Sequence, residues 1–540
     1  MRLRIHQISV DLDYRDADVL SEVARRLDCR DDALDRLVIL RRSVDARGRD
    51  RKPRFVLSVE VDVRDDVGPV LVPGRVVEAH SPEPAALPRR IASMRRRPIV
   101  VGAGPAGLLA ALTLAEAGAN PLLIDRGAEV ELRGRQVGAF WGGGVLDPES
   151  NVLYGEGGAG LFSDGKLTSR SKDRGAICRL FEVLVDCGAS PDILIDAEPH
   201  LGSDVLLHLI PALRERILEA GADIHFGTRL VDVHVDNGAV RGVAVTQDEG
   251  APEEIETDLC VLATGHSARD VYSLLAEADV PLQPKAFAVG VRIEMPQRLI
   301  DRAQYGRWAK HPKLESAGFR LTRKAGATAR ACYSFCTCPG GVVIACASSA
   351  GMLTTNGMSY SGRAKPFGNA ALLVPVGPDD FGIGAEHDPL VGVEVQMALE
   401  RAAFVAGGAD YGLPAQPLTD FLAGRRSSGI PDGRSCARAV PADMAELLPD
   451  GVVRTLRRSL PLMLREINGV RLEDVLLYGA ETRSSSPVRI ARDPQTGEAV
   501  DVKGLYPAGE GSGHAGGIVS SALDGIAAAR SILAAALTPC

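Results

Sequence analysis

The stretch at residues 98–127, PIVVGAGPAGLLAALTLAEAGANPLLIDRG, dictates more of the fold than any other part of the chain. Its apolar run at 99–101 is typical of a parallel strand buried on both faces. The following G-x-G-x-x-G makes a tight turn and lets backbone approach a pyrophosphate, and a helical segment comes next. A second apolar run ends on Asp125, about 20 residues on, where a carboxylate can bind a ribose hydroxyl. The alternative is a glycine-rich turn that binds nothing, and this context argues against it. The predicted dinucleotide contacts are Gly102, Ala103, Gly104, Pro105, Ala106, Gly107, Asp125 and Arg126.

Composition excludes several classes of protein. The chain has 540 residues, 45% hydrophobic and 24% charged, as soluble globular proteins do, and its length predicts roughly three domains. The net charge of -8 argues against nucleic acid as the main partner, and we interpret the arginines at 89–90 and 95–97 as part of a solvated linker. Because no run of about 18 apolar residues occurs, no membrane span is expected. The N-terminus lacks the apolar core of a signal peptide, and ten scattered cysteines suggest reduced thiols, so we expect cytoplasmic localisation.

Three units are expected along the chain. Residues 1–95 read as a small α+β domain, with strands at 3–12, 37–40 and 54–63, helices at 16–27 and 31–37, and a proline-rich linker at 81–88. Residues 96–285 and 476–540 form a Rossmann-type α/β domain. Residues 286–475 depart from that pattern and are predicted to form an inserted substrate domain, with strands at 286–293, 341–347 and 371–376 and helices at 391–406, 441–448 and 453–464.

A second glycine-rich segment, YGEGGAGLFSDGKL at 154–167, contains five glycines in fourteen residues. Such a segment can wrap closely around a flat ligand, because glycine permits positive φ and exposes backbone N–H groups. A flexible surface loop is the alternative, and the embedded Leu161 and Phe162 argue against it. The predicted ligand contacts in this segment are Gly158, Gly160, Ser163, Asp164, Gly165 and Lys166.

The order of the remaining elements resembles the glutathione-reductase-like FAD-binding fold. Short strands at 222–245 are followed by a strand ending in Ala263, Thr264 and Gly265, and the chain closes with GEGSGHAGG before a long helix. The resemblance implies that FAD is the dinucleotide, with Leu230 near the adenine and Thr264 and Gly265 beside the cofactor. It further implies that Glu510, in the loop opened by Gly509, binds the ribityl chain. Gly516, Gly517 and Ile518 would then meet the pyrimidine edge of the flavin, where a helix N-terminus stabilises negative charge.

Motifs spread over nearly the whole chain resemble one family in particular, the uncharacterised bacterial FAD-dependent dehydrogenases with an N-terminal α+β domain. Besides the two glycine-rich segments, they are RRSVDAR at 41–47, FCTCPGG at 335–341, TNGMSYS at 355–361, ETRSSSPVRI at 481–490 and GEGSGHAGGIVSSALDG at 509–525. The chain departs from the family pattern at FCTC, where FCMC is usual, at TRSSS, where TRTSS is usual, and at His514, where tyrosine is common. The resemblance implies a fold and a cofactor but no substrate.

Several side chains are candidates for a role in the chemistry. Cys336 and Cys338 have three possible roles: a redox pair, a single thiolate that acts as base or nucleophile, or structural thiols. Together with Cys332 they would make only a weak metal site, because no histidine is nearby in sequence, so no metal is predicted. His514 is a candidate proton shuttle, with a hydrogen bond to backbone as the alternative. Arg483 and Arg489, which flank the segment 484–487, are candidates to bind a substrate carboxylate as a fork or an FAD phosphate, with a structural salt bridge as the alternative. Lys166 is a candidate to approach flavin N5, with a solvated lysine as the alternative.

We therefore expect an FAD-dependent oxidoreductase that transfers a hydride from a small organic substrate to flavin N5, with FAD presumed non-covalent. No second G-x-G-x-x-G with a strand and helix is present in the sequence, so the electron acceptor stays open: oxygen, a quinone or a protein carrier. One alternative is a monooxygenase or reductase that takes NAD(P)H transiently. Another is a non-catalytic flavin-binding module for assembly or sensing. The oligomeric state is not predicted.

Overall fold

The computed structural model describes residues 1–48, 51–64, 71–78, 91, 94–247, 250–326, 330–382, 384 and 387–537. The predicted linker at 81–88 and the basic pair at 89–90 lie outside the described residues. The N-terminal unit is a four-stranded antiparallel sheet in the order β2-β3-β1-β4 with one helix packed on it. Its elements are β1 (Arg2–Val10), α1 (Asp16–Leu27), β2 (Leu34–Asp45), β3 (Arg54–Val63) and β4 (Val76–Glu78).

The predicted helix at 31–37 is wrong beyond its first turn. Only Asp31–Ala33 forms a 3₁₀ turn, because Leu34 already pairs with Val63 of β3 and the strand continues to residue 45. The RRSVDAR motif lies at the end of this strand. Its Arg42 binds Asp196 at 2.9 Å and Asp192 at 3.0 Å, and so holds the N-terminal sheet against the next unit.

The second unit has a parallel sheet in the order β23-β11-β5-β6-β7, as expected for a Rossmann-type layer. An antiparallel meander, β8 to β10, is inserted before β11, which confirms the short strands predicted at 222–245. The elements are β5 (Ile99–Val101), α2 (Pro105–Glu116), β6 (Leu122–Ile124), α3 (Val130–Trp141), α4 (Arg174–Asp186), α5 (Ser203–Glu219), β7 (Asp223–His225), β8 (Thr228–Asp236), β9 (Ala239–Gln247), β10 (Glu253–Glu256), β11 (Cys260–Leu262) and α6 (Arg269–Glu277).

The inserted unit is built on a seven-stranded sheet in the order β14-β15-β18-β13-β21-β19-β20, with β16 and β17 as a separate hairpin and the apolar face of α11 packed on the sheet. The elements are β12 (Leu282–Pro284), β13 (Phe287–Pro296), α7 (Gln297–Tyr305), β14 (Thr322–Arg323), β15 (Cys332–Cys338), β16 (Val342–Cys346), β17 (Thr354–Met358), β18 (Phe367–Val376), α8 (Val391–Ala406), β19 (Leu413–Pro417), α9 (Leu418–Ala423), β20 (Ala439–Pro441), α10 (Met444–Leu447), α11 (Asp450–Leu464) and β21 (Leu476–Glu481).

Two boundaries in this unit differ from the prediction. The helix expected at 441–448 is only the turn Met444–Leu447, because Ala439–Pro441 pairs with β19 and the Asp443 side chain caps the turn that follows. The strand Leu476–Glu481 pairs with β13 and β19 inside the seven-stranded sheet. The chain therefore returns to the Rossmann-type layer later than residue 476.

The chain ends with β22 (Val488–Ile490), β23 (Leu505–Pro507) and α12 (Ile518–Leu537). Helix α12 packs closely on α2, since a Cβ on Gly525 would lie 1.9 Å from the carbonyl oxygen of Ala106. By length and composition alone, the segment Ile518–Ala536 is apolar enough to cross a membrane, with a mean hydropathy of 1.4, although the prediction expected no such segment. In this structure half of that segment is buried, and its inward residues belong to the same core as α2.

Candidate functional site

A cavity of about 930 Å³ lies at the carboxyl ends of the parallel strands and is closed on its far side by the inserted unit. Ligands of open parallel sheets bind in this position, in pockets of roughly 300–1,000 Å³. Most of the predicted cofactor contacts line the cavity: Gly102, Gly104, Pro105, Ala106, Asp125, Arg126, Gly158, Gly160, Ser163, Asp164, Gly165, Lys166, Leu230, Thr264, Gly265, Gly509, Glu510, Gly516, Gly517 and Ile518. Ala103 and Gly107 lie behind this lining, within the turn.

The first glycine-rich turn is shaped by close backbone contacts. Gly102 has a φ of +102°, and a Cβ on Gly107 would lie 1.7 Å from the carbonyl oxygen of Gly102, so α2 can begin this close to β5 only with glycine at 107. Asp125 Oδ2 accepts a hydrogen bond from Ala103 N at 2.6 Å, and Oδ1 accepts one from Gly127 N at 2.8 Å. Because each carboxylate oxygen has two lone pairs, Asp125 can still accept a hydrogen bond from a ribose hydroxyl.

The second glycine-rich segment folds over this turn, as its prediction required. Gly158 has a φ of +62°, and a Cβ there would lie 3.0 Å from the Cα of Gly104. Leu161 and Phe162 are buried, so the segment is ordered. Its Asp164 is also buried and accepts hydrogen bonds from Ser359 and Arg363 of the inserted unit. The segment therefore connects the pyrophosphate end of the cavity to the inserted unit.

Another part of the cavity wall is formed by the GEGSGHAGG loop and the start of α12. A Cβ on Gly517, which has a φ of +85°, or on Gly265, with a φ of +71°, would meet no atom within 4 Å, so both glycines border open space. Burial raises the pKa of Glu510 to about 7. His514 donates a hydrogen bond from Nε2 to the Ile490 carbonyl at 2.9 Å, and burial lowers its pKa. Its predicted alternative, a hydrogen bond to backbone, is what the structure contains.

Cys336 lies on the cavity wall contributed by the inserted unit. The pairing of β15 with β18 shifts register between Phe335 and Cys338, and within this bulge Cys336 has a φ of +46°. Bulges beside active sites redirect side chains, and a positive φ is strained for any residue but glycine. The hydrogen bond from the Cys338 thiol and the charges of Arg292 and Lys166 lower the pKa of Cys336 to about 6. Cys336 is therefore the better nucleophile of the pair.

The other predicted residues of this region are placed differently. Cys338 is fully buried and does not line the cavity, and its pKa is raised by the hydrogen bond to Cys336 and by burial. Cys332 is buried in the core of the inserted unit. Lys166 lines the cavity and donates a hydrogen bond to the Thr337 carbonyl between the two cysteines, so it is not simply a solvated lysine.

Arg483 forms the interaction that was predicted as its alternative, a structural salt bridge. Arg483 lines the cavity, but its Nε and Nη2 donate to Glu400 at 2.9 and 2.8 Å. Glu400, on α8, also accepts two hydrogen bonds from Arg269, at 2.9 and 2.7 Å. Although burial disfavours its charged form, the two guanidinium groups hold the pKa of Glu400 below its ordinary value. The structural salt bridge is therefore present, with one Arg483 nitrogen left over.

Several residues at the site were missed by sequence reasoning. Arg292 of β13 is fully buried and donates to both oxygens of Glu481, at 2.9 and 2.8 Å, and to Asn356 at 2.9 Å. Glu481 and Asn356 line the cavity beside Cys336, as do His266 and Cys346. Arg292 could have been found as a charged residue in the middle of an apolar strand. Asn356 and Glu481 belong to the motifs TNGMSYS and ETRSSSPVRI, but neither residue had been given a role.

The lining fits a flat, extended dinucleotide. Glycines border its open parts, the start of α2 faces it, and the Asp125 carboxylate is hydrogen-bonded to the turn at Ala103 N. Three family models match the chain: "FAD dependent oxidoreductase" over residues 99–283, "FAD-dependent protein, C-terminal domain-like" over 286–484, and "Domain of unknown function (DUF8436)" over 2–62.

Comparison with single proteins gives matches of very different extent. An uncharacterized protein of Clostridium beijerinckii is 39% identical, over 99% of both chains. Thiamine thiazole synthase of Aeropyrum pernix is 32% identical, over 32% of this chain and 56% of its own length. Among solved structures, the flavin-dependent brominase Bmp2 is similar over 82% of this chain and 80% of its own, with 13% identity and a TM-score of 0.36.

Proposed function

The chain belongs to a family of FAD-dependent oxidoreductases, and on this premise we propose that it dehydrogenates a small organic substrate bound beside Cys336. One observation carries the proposal: a single cavity contains both the dinucleotide-type lining and a thiol whose pKa is lowered to about 6. Catalytic groups with such shifts concentrate at functional sites. The match to oxidoreductase models speaks against a non-catalytic flavin-binding module.

The residues proposed to hold FAD are those of the cavity lining. The turn at 102–107 and the start of α2 would bind the pyrophosphate, Asp125 the ribose and Leu230 the adenine face. Glu510 would bind the ribityl chain, and the loop at 516–518 would meet the pyrimidine edge. When bound, FAD accepts a hydride at N5 of its flavin ring.

The residues of the inserted unit would handle the substrate. We assign Cys336 the role of general base: as a thiolate at neutral pH, it takes a proton from the substrate hydroxyl, amine or acidic carbon that is being oxidised. The positive charges of Lys166 and Arg292 stabilise the thiolate before the reaction. The Cys338 thiol, whose Sγ lies 3.5 Å from the Cys336 carbonyl oxygen, remains reduced in this mechanism, so no disulfide takes part.

The experiment is anaerobic reduction of the purified holoenzyme, followed at the absorbance of oxidised flavin. A panel of small acids, amines and alcohols is compared with NADH and NADPH, on the wild type, Cys336→Ser and the surface variant Cys178→Ser. The proposal predicts bleaching by an organic substrate, slowed by about 10²-fold or more in Cys336→Ser alone. Rapid bleaching by a nicotinamide and by nothing else would instead favour the reductase or monooxygenase. We also expect a cytoplasmic enzyme whose electrons pass to oxygen, a quinone or a protein carrier.

A further inference from the structure

Arg269, Glu400 and Arg483 form a buried cluster, called here the arginine cluster, where α6, α8 and the end of β21 meet. The side chains are 10%, 1% and 6% exposed, respectively. Both oxygens of Glu400 are saturated, because they accept four hydrogen bonds from the two arginines and a fifth from Thr482. The cluster joins the Rossmann-type layer to the inserted unit.

The arginine cluster has an unbalanced charge. Two guanidinium cations share one carboxylate, so the cluster has a net charge of one positive unit in a buried position. Asp270 and Glu481, which lie close to the two arginines in sequence, are already paired with Arg126 and Arg292, respectively. A buried charge without a counterion is costly, and an anion supplied by a ligand removes that cost.

Unpartnered polar atoms show where such an anion would bind. Among the described residues, Arg483 Nη1 and Arg269 Nε have no hydrogen-bond acceptor, and the Nδ1 of His266 has no partner. Arg483 and His266 both line the cavity. Glu400 accepts hydrogen bonds from Nε and Nη2 of Arg483, and both hydrogens of Nη1 are left to donate to an oxygen of a ligand.

We propose that the arginine cluster is an oxyanion subsite in the wall of the cavity, in which Arg483 Nη1 binds one phosphate or carboxylate oxygen of a bound ligand. The oxygen comes either from the pyrophosphate of the dinucleotide or from an anionic substrate. If the oxygen belongs to the substrate, the inference rests on the proposed function. If it belongs to the cofactor, the inference requires only that FAD binds, and it holds even if the chain is not a dehydrogenase.

The test compares the wild type with Arg483→Met, which leaves a neutral Arg269–Glu400 pair, and with Arg401→Met, which removes an exposed arginine of α8 next to Glu400 in sequence. The dissociation constant of FAD is measured from flavin fluorescence as the holoenzyme is diluted, and thermal unfolding checks the fold. If the cofactor supplies the oxygen, Arg483→Met weakens FAD binding about tenfold or more, and Arg401→Met does not.

If the substrate supplies the oxygen, FAD affinity is unchanged in Arg483→Met. Acetate or inorganic phosphate then perturbs the flavin absorbance of the wild type and of Arg401→Met at constant ionic strength, but not that of Arg483→Met. Equal FAD affinity and equal anion responses in all three proteins would overturn the proposal. If Arg483→Met does not fold, Arg483→Lys replaces it, because lysine keeps the charge of the cluster and lacks Nη1. The same two measurements are made on this variant, and the loss of FAD affinity or of the anion response should be smaller.

Discussion

The thiol of Cys336 should titrate about three pH units below an ordinary cysteine. The Cys338 hydrogen bond and the Arg292 and Lys166 charges lower its pKa to about 6 from 9.0. At pH 7 such a thiol is about 90% thiolate, against about 1% for an ordinary one. Lower basicity also reduces the reactivity of each thiolate, by roughly 16- to 32-fold over three units. The net gain in alkylation rate at pH 7 is therefore only about three- to sixfold.

The position of the titration is consequently a sharper test than the rate. We expect the rate of iodoacetamide labelling at Cys336, read by peptide mass spectrometry, to fall with a midpoint near pH 6 as the pH is lowered. Cys178 serves as the internal control. It is exposed, but partial desolvation of its thiol and the charge of Glu182 raise its pKa, so it should be nearly unreactive at that pH. Lys166→Met should raise the Cys336 midpoint by about one unit. A wild-type midpoint at 8.5 or above would show that the pKa of Cys336 is not lowered.

Three further perturbations have defined outcomes. Gly107→Ala places a Cβ 1.7 Å from Gly102 O, so the purified variant should lack FAD, and stoichiometric FAD by absorbance would contradict this. Arg292→Met leaves Glu481 buried without its partner and should cost about 3–5 kcal/mol in denaturant unfolding, which the double change with Glu481→Leu should largely restore; an unchanged midpoint would be inconsistent with the buried pair. Burial raises the pKa of Glu156 from 4.5 to about 7, so the folded state holds this proton more tightly and loses stability as pH rises through that window. Glu156→Gln should therefore be more stable than the wild type by as much as ~3 kcal/mol at pH 8 and equal to it near pH 4.5, and a pH-independent difference would contradict the shift.

Local sequence was sufficient for the dinucleotide end of the site. The turn at 102–107 and Asp125 are defined by spacing within about 25 residues, because glycine geometry and strand direction there depend on near neighbours. The second glycine-rich segment lines the cavity as predicted. Glycine is required where two backbone segments come close together, and Gly158 lies in such a position against Gly104.

The substrate end could not be predicted in the same way. Cys336 owes its environment to Arg292 and Lys166, which come from distant strands and loops and meet it only in the folded chain. For the same reason the sequence did not reveal that Glu400, on α8, occupies the fork of Arg483. Ion pairs between residues that are distant in sequence determine which arginine nitrogens can bind a ligand, and residue type alone does not show this.

Cys336 lines the cavity proposed to hold the flavin, and the most direct test of this arrangement is to alkylate Cys336 in the holoenzyme while recording the visible spectrum of FAD. We expect modification of Cys336 to shift or broaden the flavin absorption bands in proportion to labelling, and Cys336→Ser to abolish the change. Complete labelling of Cys336 with an unaltered flavin spectrum would show that the thiol and the flavin do not share the cavity.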